Sequence, residues 1–230
     1  MRPTCFVIYH ECITAQSLSA RAYAEIRNRI VRLELAPGDV LREESLQAEL
    51  GIGRTPIREA LQRLARDQFV SVIPRRGMLV TPIDVSELSL LFETRATMEP
   101  YAGRLACMRG VADDWDEMQQ VLAESADAPG DAALLDVDRR CHEIIWRAAG
   151  NRFLTDTLDV LYAQSDRVWH MYLADVADTR HAVDEHVEIL EVLRSGDADA
   201  AAAAIEAHVR AFDEQVRSAV TNRLAPPLAV

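Results

Sequence analysis

The sequence predicts a mainly α protein: an N-terminal winged helix-turn-helix, α with a small β-hairpin, followed by a C-terminal all-α antiparallel helical bundle. Three observations predict it. Two short apolar-periodic segments meet at Gly51 in LQAELGIGRTPIREAL, a hairpin pattern surrounds Pro74-Arg75-Arg76-Gly77, and beyond Asp84 every periodic segment has helical spacing without an alternating β-run. With 230 residues, 49 % of them hydrophobic, the chain can bury a core in one large or two modest domains. The boundaries read as 1–16, a loose N-terminal extension; 17–82, the winged helix-turn-helix; 84–223, the helical domain; and 224–230, a frayed tail.

Ser19 to Glu34 carries Ala22, Ile26, Ile30 and Leu33 on one helical stripe, ended by the Pro37-Gly38 turn. Helices near 43–50 and 54–67 follow, with Leu46, Leu50, Ile57, Leu61 and Leu64 supplying the faces that pack. Gly51 sits where a positive φ costs little, and Pro56 falls in a first helical turn, where its missing N–H has no intrahelical acceptor to lose. Arg54, Thr55 and Arg58 then cluster at the exposed N-terminal end of the second helix, the part of a recognition helix that reaches base edges and phosphates in a major groove. Phe69 to Ile73 and Met78 to Thr81 read as two strands, and the tip between them, Arg75, Arg76 and Gly77, would lie against the DNA backbone or minor groove.

Charge divides along the same boundary. The net −12 comprises +3 over residues 1–82, with 12 arginines against 9 acids, and −15 over residues 83–230, with 13 arginines against 28 acids. Only the first part suits a polyanion, and the acidic faces of the second discourage DNA from binding there. Four cysteines without CxxC spacing suggest neither a disulfide framework nor a cysteine zinc site. The N-terminal apolar run is broken at His10 and Glu11, and no stretch reaches the ~20 apolar residues of a membrane span, so the expectation is a cytoplasmic protein with no membrane partner.

Asp84 with Glu87 reads as a capping box opening the bundle. Helices follow near 85–108, 114–126, 131–149, 152–173, 180–195 and 198–222, separated by breakers such as Pro129-Gly130 and Gly150-Asn151. Polar residues interrupt their inward stripes. Asp138 and His142 lie one turn apart among Leu134, Leu135, Ile145 and Ala149; His186 falls among Val183, Val187, Leu190 and Leu193; His208 falls among Ile205, Phe212 and Ala219. Three helices thus aim a carboxylate and three imidazoles at one interior, where a divalent cation would satisfy all four together. Such a set suits Zn²⁺, Ni²⁺ or Mn²⁺, and each histidine could alternatively be a hydrogen-bonded core residue. Arg95, also inward, could grip a ligand carboxylate or pair with Glu99 one turn on. Cys141 reads as core, Trp115, Trp146 and Trp169 as core or subunit-contact residues, and His170 and His181 fall outside the constellation.

LREESLQAELGIGRTPIREALQRLARDQFV with PRRGMLV resembles the winged helix of the GntR family of transcription regulators. RATME at 95–99, DRRCH at 138–142, AAGN at 148–151, DEH ending at His186 and the His208 helix resemble the FCD ligand-binding domain of that family's FadR type. The resemblance implies a homodimer on a short palindromic operator, responsive to a small carboxylate effector. It assigns Asp138, His142, His186 and His208 to a metal and Arg95 to the effector. Three positions depart from the pattern: Gly53 where the family has Ser or Thr, Glu44 where it often has Arg, and Cys141 in place of Phe. The expected function is a DNA-binding regulator, a repressor rather than an enzyme. The alternatives are a helical metalloenzyme fused to a winged helix, in which open metal positions activate water, and a metal-free regulator of the same fold.

Overall fold

The computed structural model describes residues 17–172 and 179–224. The expected extension 1–16, with Cys5, His10 and Cys12, lies outside the described residues, as does all of the expected tail except Leu224. The described chain is mainly α, with one small sheet among its first helices.

α1 (Leu18–Val31) starts at Ser17, whose side chain accepts from the Ala20 N–H at 3.1 Å, and it buries Ala22, Ile26 and Ile30. α2 (Glu43–Leu50) ends at Gly51, whose φ of 63° is the left-handed conformation that reverses the chain. α3 (Arg54–Arg66) begins after Gly53, which leaves that helix without a side-chain cap. Ile57, Leu61 and Leu64 are wholly buried against Phe69, so the apolar spacing read from the sequence is the packing seam.

The expected two-stranded hairpin is a three-stranded sheet. β2 (Val70–Ile73) and β3 (Gly77–Val80) pair through Ile73 opposite Gly77, and β1 (Val40–Leu41) adds to the other edge of β3 with Val40 opposite Leu79. β1 is two residues long, too short to show alternation in sequence, and its position comes from the turn through Gly38, φ 88°.

α4 (Leu88–Arg109) starts three residues later than expected, and the capping box at Asp84 is not formed. The Asp84 carboxylate accepts from the Ser86 N–H at 2.8 Å and the Ser86 hydroxyl at 2.6 Å, a local turn that uses its lone pairs before the helix begins. α5 (Ala112–Ala123) opens with the Asp114 carboxylate accepting from the Val111 N–H at 3.1 Å, and a 3₁₀ turn, Glu124–Asp127, follows it.

α6 (Asp131–Ala148), α7 (Arg152–Tyr172), α8 (Thr179–Ser195) and α9 (Ala198–Leu224) complete the bundle. α4 and α9 run antiparallel, Phe92 beside Phe212 and Arg104 beside Asp199. At Gly103 the Ile205 side chain fills the space of a Cβ, which would stand 2.1 Å from Ile205 Cδ1. On α8 the buried seam is Val183, His186, Leu190 and Leu193. Val187, expected inward, is exposed, because its position falls off that 3–4–3 spacing.

α7 joins the two parts of the molecule. Ala163 packs into the N-terminal core, Gln164 Nε2 donates to the Asp67 carbonyl at 3.0 Å, and Asp159 takes a two-pronged contact from Arg27 of α1. The same helix also presents Tyr162, next to Ala163 in sequence, to Asp138 in the bundle interior. Among the described residues no helix is long and apolar enough to cross a membrane.

Candidate functional site

Asp138 and His142 of α6, His186 of α8 and His208 of α9 converge in the bundle, with one candidate ligand atom from each lying within 4.8 Å of the others. All four are at most 2 % exposed. The helical period produces this: residues four apart on α6 face one way, and the apolar stripes of α8 and α9 turn the other two histidines toward the same point.

Each imidazole is oriented through its Nδ1. Glu99 Oε2 lies 2.8 Å from Nδ1 of His142, the Ala182 carbonyl 2.9 Å from Nδ1 of His186, and Glu185 Oε2 2.7 Å from Nδ1 of His208. An acceptor at Nδ1 holds the proton there and leaves Nε2 with a lone pair, the arrangement that supports an imidazole ligand from behind. The Nε2 atoms of His142 and His208 are 3.2 Å apart, and Nε2 of His186 is buried without a hydrogen-bond partner. Asp138 is oriented in the same manner: Tyr162 donates its hydroxyl to Oδ2 at 2.6 Å, while Oδ1 makes no hydrogen bond and lies 3.3 Å from Nδ1 of His186 and 3.6 Å from Nε2 of His208.

Orphaned buried acceptors of this kind cost about 1–3 kcal/mol each. One carboxylate oxygen and three imidazole nitrogens, mutually close and buried, are the donor set of a borderline divalent ion, so the residues fit a metal. Their protonation fits it too. Burial, reinforced by the neighbouring His208, pushes the His186 pKa down to about 3, leaving a neutral ring. Burial works against the Asp138 carboxylate, but the three imidazoles and the Tyr162 hydrogen bond hold its pKa below the usual value. Burial and the adjacent Asp138 raise the Tyr162 pKa well above its ordinary value, so the phenol remains a donor.

Arg95 is also brought to this interior. Its Nε contacts Glu99 Oε1 at 2.5 Å, the pairing anticipated from their spacing, and its Nη1 is buried without a partner. Its guanidinium stands 5.0 Å from the Tyr162 ring centroid and 5.6 Å from that of Phe212. Glu99, although buried, is held far below the usual carboxylate range by Arg95 and His142. The chain Arg95–Glu99–His142 therefore links the candidate effector contact to a candidate metal ligand. Cys141 is buried in the core beside His142, and His170 pairs with Asp166; neither belongs to the four-residue set.

The candidate nucleic-acid face is built differently. Arg54, Thr55 and Arg58 on α3 and Arg75, Arg76 and Gly77 at the sheet tip are all exposed. Gly77, φ 89°, and Arg75, φ 66°, form the tight tip that projects both arginines. Arg54 Nε and Arg58 Nε share the Glu43 carboxylate, at 3.2 Å and 3.0 Å. Glu43 was not anticipated. Its place in the first turn of α2, across the turn from α3, gave no periodic signal.

Comparison with known proteins decides the family. The family model described as "Bacterial regulatory proteins, gntR family" matches residues 18–80, and the FCD domain model matches residues 90–211. The chain belongs to the GntR family, with an FCD domain. This GntR regulator is 26 % identical over 205 residues to the HTH-type transcriptional repressor RspR of Escherichia coli strain K12, covering 88 % of this chain and 90 % of RspR. It is 28 % identical over 196 residues to the Nta operon transcriptional regulator of Aminobacter aminovorans, covering 84 % and 93 % of the two chains. E. coli McbR/YncC shares the fold at a TM-score of 0.77 with 21 % identity, covering 91 % of this chain and 99 % of that one. A GntR-family helix-turn-helix implies DNA binding, so the chain is a transcriptional regulator with an FCD domain.

The sequence had flagged Glu99 only as a partner for Arg95, not for His142. It gave no warning of Glu185 or Tyr162. Glu185 precedes His186 by one residue and so sits about 100° round α8 from it, and only the approach of α9 brings it to His208. Tyr162 lies on a buried stripe with Leu158 and Trp169, where an aromatic reads as core.

Proposed function

We propose that this GntR regulator is a metal-dependent sensor of a small carboxylate, which acts as a repressor by controlling its own operator binding. The observation that carries the reading is the buried Asp138, His142, His186 and His208 set, in which Asp138 Oδ1 and His186 Nε2 make no hydrogen bond while a carboxylate or carbonyl oxygen stands within 2.9 Å of each Nδ1. A divalent ion bound there, Zn²⁺, Ni²⁺ or Mn²⁺, would supply a Lewis-acidic anchor for the effector's carboxylate. Arg95 supports that role with its free Nη1, a donor ready for a second carboxylate oxygen without breaking the Glu99 contact.

DNA binding is assigned to Arg54, Thr55 and Arg58 in the major groove and to Arg75, Arg76 and Gly77 on the backbone or minor groove. A palindromic operator requires two copies of the chain. Leu90, Tyr101 and Met108 support a homodimer: their spacing puts them on one face of α4, and they are exposed by 63 %, 53 % and 70 %. Effector and DNA are coupled through α7, which gives Tyr162 to Asp138 on one side and Ala163 and Gln164 to the DNA-binding domain on the other.

The test begins with DNA selected from a random pool by the full-length protein. Its affinity is then measured against a panel of small carboxylates, before and after treatment with a chelator. At least one carboxylate should change the affinity tenfold or more, about 1.4 kcal/mol of coupling, and Asp138→Ala should abolish that change while leaving effector-free DNA binding intact. A response of equal size in Asp138→Ala or in chelated protein contradicts the reading.

A further inference from the structure

A cavity of about 330 Å³ lies where the linker, residues 81–87, meets the bundle. Pro82 and Ile83 of the linker, Leu88 and Leu91 of α4 and Leu161 and Val168 of α7 make its wall apolar, and Arg167 of α7 stands in that wall. Arg167 is 2 % exposed. One of its Nη atoms donates to the Thr81 carbonyl, its Nε is buried with no hydrogen-bond partner, and no carboxylate among the described residues pairs with it. The contrast with the other buried arginine of the bundle is direct, since Arg95 has Glu99. Burial with nothing to offset it pulls the Arg167 pKa down to about 10, still charged at neutral pH. A desolvated guanidinium without a counter-ion is a costly feature, and its planar fork is the complement of a carboxylate.

We propose that this cavity is a ligand site separate from the Asp138 set, and that it takes a small monocarboxylate with an apolar body. The carboxylate pairs with Arg167, and the body lies against the leucines. The volume is at the small end of ligand pockets, which limits the body to a short chain or a single ring. Two exposed acids, Asp84 and Glu87, line the same cavity and repel a second negative charge, so dicarboxylates and phosphates are selected against. The site also touches Gln68 of the DNA-binding domain and, through Arg167, the linker carbonyl of Thr81. A ligand there bears on both domains and on the segment that joins them. The inference does not depend on metal binding at Asp138.

The probe is hexanoate, with succinate as the dianionic control. Calorimetric titrations use full-length wild-type protein, the same protein treated with a chelator, Arg167→Met, and Leu91→Trp, which fills the cavity but keeps the cation. Hexanoate should bind wild-type and chelated protein with the same Kd, and at least tenfold more weakly in both variants; succinate should not bind the chelated protein. Arg167→Met, freed of an unpaired buried charge, should also melt above wild type without ligand. If Arg167→Met does not fold, Leu91→Trp reads the same loss. The site is overturned if wild type shows no saturable hexanoate binding at millimolar concentration, or if binding survives in Arg167→Met. Binding that vanishes on chelation also overturns it, while leaving the Asp138 site standing.

Discussion

The proposed DNA-facing surface and the bundle interior use the same chemistry, cations beside carboxylates, under opposite conditions. On α3 the side chains of Arg54 and Arg58 are 69 % and 57 % exposed and share one carboxylate, Glu43. In the bundle Arg95, Glu99, Asp138 and the three histidines are at most 2 % exposed and each has its own fixed neighbour. Exposed ion pairs are worth about 0–1 kcal/mol, so Glu43 can orient the two arginines and still release them to phosphates. Buried groups lose water that nothing but a well-placed partner restores, so each interior atom without a hydrogen bond is costly unless a bound ion satisfies it. One region is built to exchange partners; the other is built to hold one.

If that contrast is right, the largest effect belongs to the interior. A divalent ion added to chelator-stripped protein should raise the melting temperature strongly, by the equivalent of about 4 kcal/mol at a thousandfold excess over Kd, and scanning calorimetry reads it. An unchanged melting curve would make the cluster an ordinary polar core. Next in size is the surface. Arg54→Ala with Arg58→Ala should abolish specific operator binding in gel shifts while leaving the melting temperature unchanged, each arginine contributing about 1–3 kcal/mol of base discrimination. Operator binding that survives the double change would move the docking face elsewhere.

Smaller effects sharpen the comparison. Glu185→Gln removes the anion behind His208 but keeps a hydrogen-bonding group, so metal affinity should fall about 10–100-fold by competition titration with a chelator, the fold unaltered. Glu43→Gln should do the reverse outside: non-specific DNA binding strengthens a few-fold and the slope of log affinity against log salt steepens by about 1, since one carboxylate charge no longer offsets the arginine pair.

What could be read from the sequence follows the same division. Ile57, Leu61, Leu64, Asp138 and His142 were legible because the helical period alone decides which way they face. His186 and His208 needed only the further assumption that apolar stripes turn inward. β1 was invisible because two residues carry no pattern, and the Asp84 box failed because a hydroxyl two residues away captured the carboxylate first. Glu185, Tyr162 and Arg167 could not be foreseen, since each acquires its meaning from an element distant in the chain: α9, α6 and the linker. Periodicity reports a helix's own faces and is silent on what crosses them.

The most direct test of the central claim is the metal content of full-length protein, loaded separately with Zn²⁺, Ni²⁺ and Mn²⁺, dialysed, and measured by mass spectrometry of the element. The interior set predicts one tightly held ion per chain for at least one of these metals, with none retained in His186→Ala. Wild-type protein that keeps no more ion than His186→Ala for all three metals would contradict it.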